Sequence, residues 1–359
     1  MIDLIVYDKT MTAIGIVDTQ TTLFWERRFY EAGYFEMNVP ANENNNALFS
    51  AGRYLMRADA LESGMILRVA KNVDAEGVTT ITVIGRFLSY LLHGHIVRSA
   101  QMFTGNAETI MRQLVSATVL NNESPDYIAG LSLGDMCGSD KTVSVYLIYN
   151  DLHDALREIS RLSGVAFRVV LNPNTGAMTF ECYEGHDYRA NQYVNAQVVF
   201  SPEYDTIIGA AEYAEDDSVT VNAVTMVYSG EFGTVADRYA PGEASGTELH
   251  EISVITDQCV TTTTTGGEIV IDINATKSLL RGMAPQYISP KDVNVSASVA
   301  HTGGMVYKQD YDIGDIVTVE YRPFGISLTR RIHKIAESYS DAGTEIIPDF
   351  GEISPKEDV

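Results

Sequence analysis

Three groups of side chains in this sequence are of types that do chemistry. The segment "HGHI" sets His93 and His95 two apart, so both lie on one face if the chain is extended. Two imidazoles placed that way hold a metal once a third ligand joins them. No neighbouring Cys, Asp or His offers one at a useful spacing, and the plainer reading is two polar edge residues after a short helix. "EYAEDD" gathers Glu212, Glu215, Asp216 and Asp217, an oxygen density that suits Ca²⁺, but the fixed spacing and Gly turn of an EF-hand loop are missing. A solvated turn between two strands accounts for it, as for most charge runs. Cys137, Cys182 and Cys259 are far apart and odd in number, with no CxxC pair. They signal neither a disulfide framework nor a zinc knuckle and are expected to be buried or incidental thiols.

The nucleophile elbow GxSxG is absent, and so are the phosphate-binding patterns GxxxxGK[ST] and GxGxxG. The 48 carboxylates allow some pair for glycoside hydrolysis, but a pair drawn from so many has no specificity. No catalytic, cofactor-binding or metal-ligating residue is therefore assigned, no cofactor is implied, and an enzyme is not expected.

At 359 residues, two or three domains are expected, and 45% hydrophobic with 20% charged residues is the composition of a folding chain. No apolar run approaches the roughly 20 residues of a membrane span. "MIDLIVYDKTM" lacks a basic stretch leading into a long apolar one, so a signal peptide is not expected and the protein is read as made and folded in a cytoplasm. The formal net charge of −23 argues against gripping nucleic acid, because phosphate backbones reward Lys/Arg clusters. Solubility explains the charge plainly; a sharper reading is a channel through which DNA slides without sticking.

The elements are mostly strands. In "FYEAGYFEMNVP", Phe35, Met37 and Val39 alternate with Glu36 and Asn38 until Pro40 ends the run, and "LFWERRFY" before it makes the pair a hairpin. Further strands are read at 4–7, 13–17, 54–58, 65–73 and 79–86, the last two joined at "DAEG" (74–77). Several short strands with frequent turns indicate a small barrel or sandwich, closed by a short helix at 87–92. The spacing then turns helical. Residues 104–119 carry Ala107, Ile110, Met111, Leu114 and Val115 on one stripe, with Thr104 or Asn106 as cap. Residues 150–164 carry Leu152, Ala155, Leu156, Ile159 and Leu162, capped by Asn150 or Asp151 and ended by Gly164. A hairpin over 165–171 and 177–183 follows, which completes a small α+β unit. From about 198 the strands return, at "VVFS", "IIGAAEYA", "VTVNAVTMVYS" and "ELHEISVI". "TTTTTGG" (261–267) is read as a loop and 273–288 as a helix limited by Pro285. Strands at 293–299, 316–321 and 326–339 lead to a final one near 345–351.

Four of these segments, taken in order, resemble a tail protein family of siphoviruses of the ReqiPepy type. They are "RRFYEAGYFEMNVP", "AFRVVLNPNTGAMTFECYEGHDYR" with its turn at Gly185–Arg189, "VVFSPEYDTIIGAAEYAEDDSVTVNAVTMVYSGEFG" with Asn222, and "YDIGDIVTVEY…RRIHKIAESY". "HDYR" departs from a direct Asp-Arg, and 256–290 matches less well. The family in turn resembles the baseplate hub of tailed phages. The resemblance implies a mainly β fold with an α+β part: two small tube-like β-barrel domains, a peripheral α+β domain and an insertion in the second barrel. It divides the chain into a first barrel (1–98), the peripheral domain (99–197), the second barrel in two parts (198–255 and 291–347) around the insertion (256–290), and a polar tail (348–359). It implies a structural protein of the virion: a homotrimer at the tail tip joining the tube or a distal tail ring to a spike, fibre or tape-measure protein, and forming part of the DNA channel. It implies no specific nucleic-acid binding and no membrane span. A tail-associated peptidoglycan hydrolase is the rival, although with the chain ending at Val359 no room is expected for an extra domain. A receptor- or sugar-binding module would need an exposed aromatic platform, whereas the single Trp25 falls in a barrel strand.

If the switch in periodicity after residue 103 marks a domain edge, limited proteolysis should nick first near 98–104 or 196–206. First cuts inside 165–183 would refute that division.

Overall fold

Alternation decides the first hairpin. Phe35, Met37 and Val39 are all fully buried, and the residues between them are half exposed. The computed structural model describes residues 2–242, 244–289, 291–299 and 305–351. The N-terminal region is β1 (Leu4–Tyr7), β2 (Ala13–Val17), β3 (Thr22–Arg28), β4 (Tyr34–Pro40), the short helix α1 (Glu43–Leu48), β5 (Tyr54–Arg57), β6 (Ser63–Val73) and β7 (Thr79–Phe87). The middle region is β8 (Ala100–Asn106), α2 (Ala107–Val119), β9 (Leu131–Leu133), β10 (Thr142–Ile148), α3 (Leu152–Ser163), β11 (Ala166–Leu171) and β12 (Met178–Tyr183). Then come β13 (Val199–Phe200), β14 (Ile207–Asp216), β15 (Ala223–Gly230), β16 (Gly233–Tyr239) and β17 (Glu251–Thr256). The remainder is β18 (Thr262–Thr265), β19 (Glu268–Ile271), α4 (Ile273–Met283), β20 (Asp292–Val299), β21 (Ile316–Tyr321), β22 (Ile326–Ser340) and β23 (Gly343–Gly351).

Strands from both ends of the chain enter one 13-stranded sheet, in the order β14-β20-β23-β22-β3-β4-β7-β6-β5-β1-β2, with β21 and β13 branching from β22. The family resemblance implies two small β-barrel domains; the pairing among the described residues instead follows one open path with a branch at β22. The reason lies in β22. Its 15 residues are long enough for its first part to pair with β21 and its last part with β23 and β3. Lys334 to Ser340 run antiparallel to Arg28 to Thr22, so a strand of the C-terminal region closes the edge of the N-terminal hairpin. One core, built on Trp25, Phe35, Met37 and Ile66, lies under the N-terminal strands, and another, built on Phe29, Phe200, Ile332 and Phe350, lies under the C-terminal ones.

The middle region packs α2 and α3 against two small sheets, β8–β10 and β11-β12-β9, around a third core. Both helices follow their caps: the Asn106 side chain accepts from Thr109 N–H, the Asp151 side chain accepts from His153 and Asp154 N–H, and Gly164 ends α3 at φ +75°. Strand β8 occupies Ala100–Asn106, most of the stretch read as a boundary, and pairs along its length with β10.

The C-terminal region differs most from expectation. Among the described residues, strands β15, β16 and β17 pair only with one another, and they pack with α4 on a fourth core. The stretch 198–255 therefore supplies only β13 and β14 to the large sheet, and the Val221–Ser289 bridge closes off the rest. The run read as a loop, 261–267, carries a strand: Thr262–Thr265 pairs with Glu268–Ile271 across Gly266 and Gly267, at φ +64° and +90°. Threonine favours strands, and two glycines at positive φ make the tight hairpin turn. That signal outweighs the missing apolar face. Strand β14 runs through Asp216, so most of "EYAEDD" ends a strand rather than forming a turn. The short helix at 87–92 is a 3₁₀ turn over Leu88–Leu92, α4 ends at Met283, and β23 takes in Pro348 and Gly351, the start of the expected tail. The rest of that tail, 352–359, lies outside the described residues.

The Phe35 ring lies over Gly64 and Gly85, where any Cβ would collide with it, and stacks on Trp25 at 5.6 Å. Phe35→Ala should cost about 3–5 kcal/mol, and Glu36→Ala, on the half-exposed face, within about 0.5 kcal/mol. Urea unfolding measures both; equal costs would show the faces reversed.

Candidate functional site

Period 2 along β3 turns Leu23, Trp25 and Arg27 to the same buried side, and Arg27 is only 5% exposed. Its guanidinium must therefore be neutralised from within. Arg27 Nε donates to Glu62 Oε1 at 2.8 Å and Nη1 donates to the Tyr307 hydroxyl at 2.9 Å and to Asp312. Strand β5 repeats the pattern: Arg57, 1% exposed, pairs with Glu337 at 2.7 Å and forks onto Asp59 at 2.7 and 2.8 Å. Its guanidinium also lies over Trp25 and Tyr339, at 5.4 and 5.2 Å from the ring centroids. Glu337 accepts from the Tyr307 and Tyr339 hydroxyls, which joins the two arginines into one network. Burial pushes the Glu62 carboxyl up, but the charge and hydrogen bonds of Arg27 outweigh it and hold the group below its ordinary value of 4.5. Burial opposes the charge of Arg27 as well, and Glu62, Tyr307 and Asp312 raise its pKa well above the ordinary value.

The middle region meets the same point. Glu62 bridges to Val170 in β11, and a cleft of about 20 Å³, room for roughly one water, is lined by Arg27, Glu62, Phe167, Arg168 and Tyr183 among others. Arg168 pairs with Glu181 at 3.0 Å and lies over Tyr183 at 4.7 Å. A second clasp forms beside it. Asp315, 2% exposed, accepts from His186 N–H and from Asp312 N–H, both at 2.7 Å, and Gly185 lies directly on Gly314. The "EGHDYR" and "YDIGD" segments are thus two sides of one backbone contact. The arrangement immobilises three chain regions against each other, and its carboxylates are engaged by guanidinium and backbone N–H groups.

The residues singled out in the sequence fall elsewhere and apart. His93 faces Asp151 at 3.3 Å and His95 faces Asp126 at 3.2 Å, two separate pairs. Glu215 pairs with Lys291 and Tyr213, Asp216 accepts from Ser218, and Asp217 sits 3.6 Å from His250. Among the described residues no group of three or more His, Cys, Asp and Glu could hold a metal. Cys182 and Cys259 are buried, but Cys137 is exposed. Partial burial of the Cys137 sulfur beside Glu108 pushes its thiol up to about 11. Trp25 is fully buried. Local pattern does not announce the arginine network, but one signal for it is in the sequence: Arg27 is in phase with Leu23 and Trp25 on the apolar side of a strand.

This architecture is that of phage tail proteins. A tail protein from Neisseria meningitidis MC58 superposes with a TM-score of 0.59 at 12% identity over 99% of this chain and 98% of that one. The 43 kDa tail protein of prophage MuSo2 from Shewanella oneidensis gives 0.57 at 13% over 99% and 98%. A chain of the half-lidded Francisella PdpA-VgrG complex gives 0.50 at 8%, over 99% of this chain and 58% of that one. No curated protein matches the sequence. The chain belongs to the family described as Siphovirus ReqiPepy6 Gp37-like protein, which matches residues 3–352; this is a siphovirus tail protein family.

Glu62 has its pKa lowered by folding, so its contribution to stability is present above the unfolded value near 4.5 and is lost as pH falls through the lower folded value. Glu62→Gln should cost about 3 kcal/mol near pH 7, the low end for breaking a buried pair, because Arg27 keeps Asp312. The gap between wild type and variant, measured by urea unfolding, should shrink as the pH is taken below 4.5. A gap independent of pH would show that the contact is not ionic.

Proposed function

We propose that the chain is a hub subunit at the distal end of the tail, three copies of which form a ring around the DNA path. The observation that carries this is the fusion of the two β regions into one sheet, pinned at the Arg27–Arg57 network. A ring subunit that meets a six-fold tube must present two β modules at a fixed spacing, and a shared strand pair with buried ion pairs fixes it. On this reading 1–98 and the strands β13, β14 and β20–β23 are the two ring modules, barrel-like in the assembled ring, and 99–197 is peripheral. Tube or distal tail ring lies on one side, and spike, fibre or tape-measure end on the other. The PdpA-VgrG complex, whose chain shares the fold, supports looking for such a partner. The protein acts in the virion by assembly rather than by catalysis. In support, the carboxylates at the junction face guanidinium groups instead of an open cleft. Activity on peptidoglycan in a zymogram would favour the hydrolase instead.

Three copies of −23 carry a formal net charge of −69. Their repulsion opposes the ring and is screened beyond about 8 Å at physiological ionic strength. Trimer formation should therefore strengthen with added salt, and duplex DNA should not bind even at low salt. Sedimentation of the purified chain across a salt series, with and without DNA, measures both. A low-salt DNA complex would sink the passive channel, and a monomer under every condition would remove the self-assembling ring.

A further inference from the structure

The loop between β12 and β13 carries two large apolar side chains at its tip, Tyr193 at 96% and Val194 at 92% exposure. Single exposed apolar residues are ordinary. An adjacent pair on a loop built to hold it out is not explained by the fold of one chain. The Gln192 side chain organises the loop: its Oε1 accepts from Val194 N–H and Asn195 N–H, both at 2.7 Å, and its Nε2 donates to Asn195 O at 2.8 Å. Asn195 Nδ2 donates to Asp187 O at 3.0 Å, and Gln197 Nε2 to Gln192 O at 3.3 Å. The loop is tied at its base, where Val198 N–H donates to Tyr188 O at 2.8 Å and Ala190 N–H to the Thr318 hydroxyl of β21 at 2.9 Å. Its tip is thus ordered before any contact is made, which lowers the entropy cost of binding, and Tyr is a residue type on which interfaces concentrate their affinity.

We infer that Tyr193 and Val194 form a knob that seats on a second copy of this chain. Charge argues for that occupant. Residues 190–201, "ANQYVNAQVVFS", contain no charged side chain in a chain of net charge −23. Two such acidic copies come together at least cost where neither presents charge. The contact is head to tail, the knob of one copy meeting a different surface of the next, which is the geometry that closes a ring. This assignment rests on the ring proposed above, with the knob as one of its contacts.

The test is equilibrium sedimentation of wild type, of Tyr193→Ser combined with Val194→Ser, and of Gln192→Ala, at a salt concentration where wild type associates. The double variant should associate roughly thirtyfold more weakly with an unchanged circular dichroism spectrum and melting temperature. Gln192→Ala, which loosens the loop and leaves the knob, should fall between. Wild-type association with an unaltered double variant overturns the knob and leaves the ring standing. A double variant that self-associates normally yet is no longer incorporated into tails assigns the knob to a different tail protein and overturns the second copy as occupant. Wild type that never associates removes the ring reading itself.

Discussion

Two buried arginines hold this molecule together. Arg27 and Arg57 sit on the inward faces of N-terminal strands, and part of their neutralising partner set, Asp312, Tyr307 and Glu337, comes from the far end of the chain. A guanidinium cut off from water is costly without its partners, so any arrangement that separates the N-terminal and C-terminal strands leaves buried charge behind. Hydrophobic contacts tolerate sliding; forked donors on fixed acceptors do not. The network sets the register in which the regions meet, and Glu62, placed between Arg27 and β11, extends that constraint to the middle region.

The distribution of charge fits this division. Within the fold, acids serve as fixed partners for arginines and backbone N–H groups, as Asp315 does for the His186 and Asp312 N–H groups. On the surface their excess keeps copies of the molecule apart unless specific contacts draw them together. A tail protein that remains soluble until it meets its partners is served by an acidic exterior of this kind.

Periodicity made local structure legible. The β3–β4 and β6–β7 hairpins, the capped helices α2 and α3 and the β11–β12 hairpin all follow from spacing, caps and turn residues. What the sequence concealed was long-range pairing. Nothing in "RRIHKIAESY" tells a reader that its second half closes against "LFWERR", because strand partners are chosen by edge availability and core shape rather than by local pattern. Strands β9 and β16 are hard to read because one is three residues long and the other is largely polar, whereas β10 was legible, with Val143, Val145 and Leu147 alternating and all buried. The arginine network was half legible: Arg27 is in phase with Trp25, but its acids are chosen only by the tertiary fold. The threonine run misled because an exposed hairpin needs no apolar face when two glycines supply its turn.

The seam between β3 and β22 has a consequence in time. Arg28 and Lys334 are partners in the sheet, yet about 300 residues must be made between them. At ribosomal rates that separates their synthesis by roughly 15–60 s. Throughout that interval one edge of the N-terminal hairpin is unpaired, and Arg27 and Arg57 lack their C-terminal acids. The nascent N-terminal region therefore waits as an incomplete sheet, open to strand addition by neighbouring chains, until the last fifth of the protein arrives to seal it. The step that completes the fold is a long-range closure late in synthesis, and it is of the slow kind, because strands so far apart in sequence must meet before their contacts offset the entropy of the loop they close.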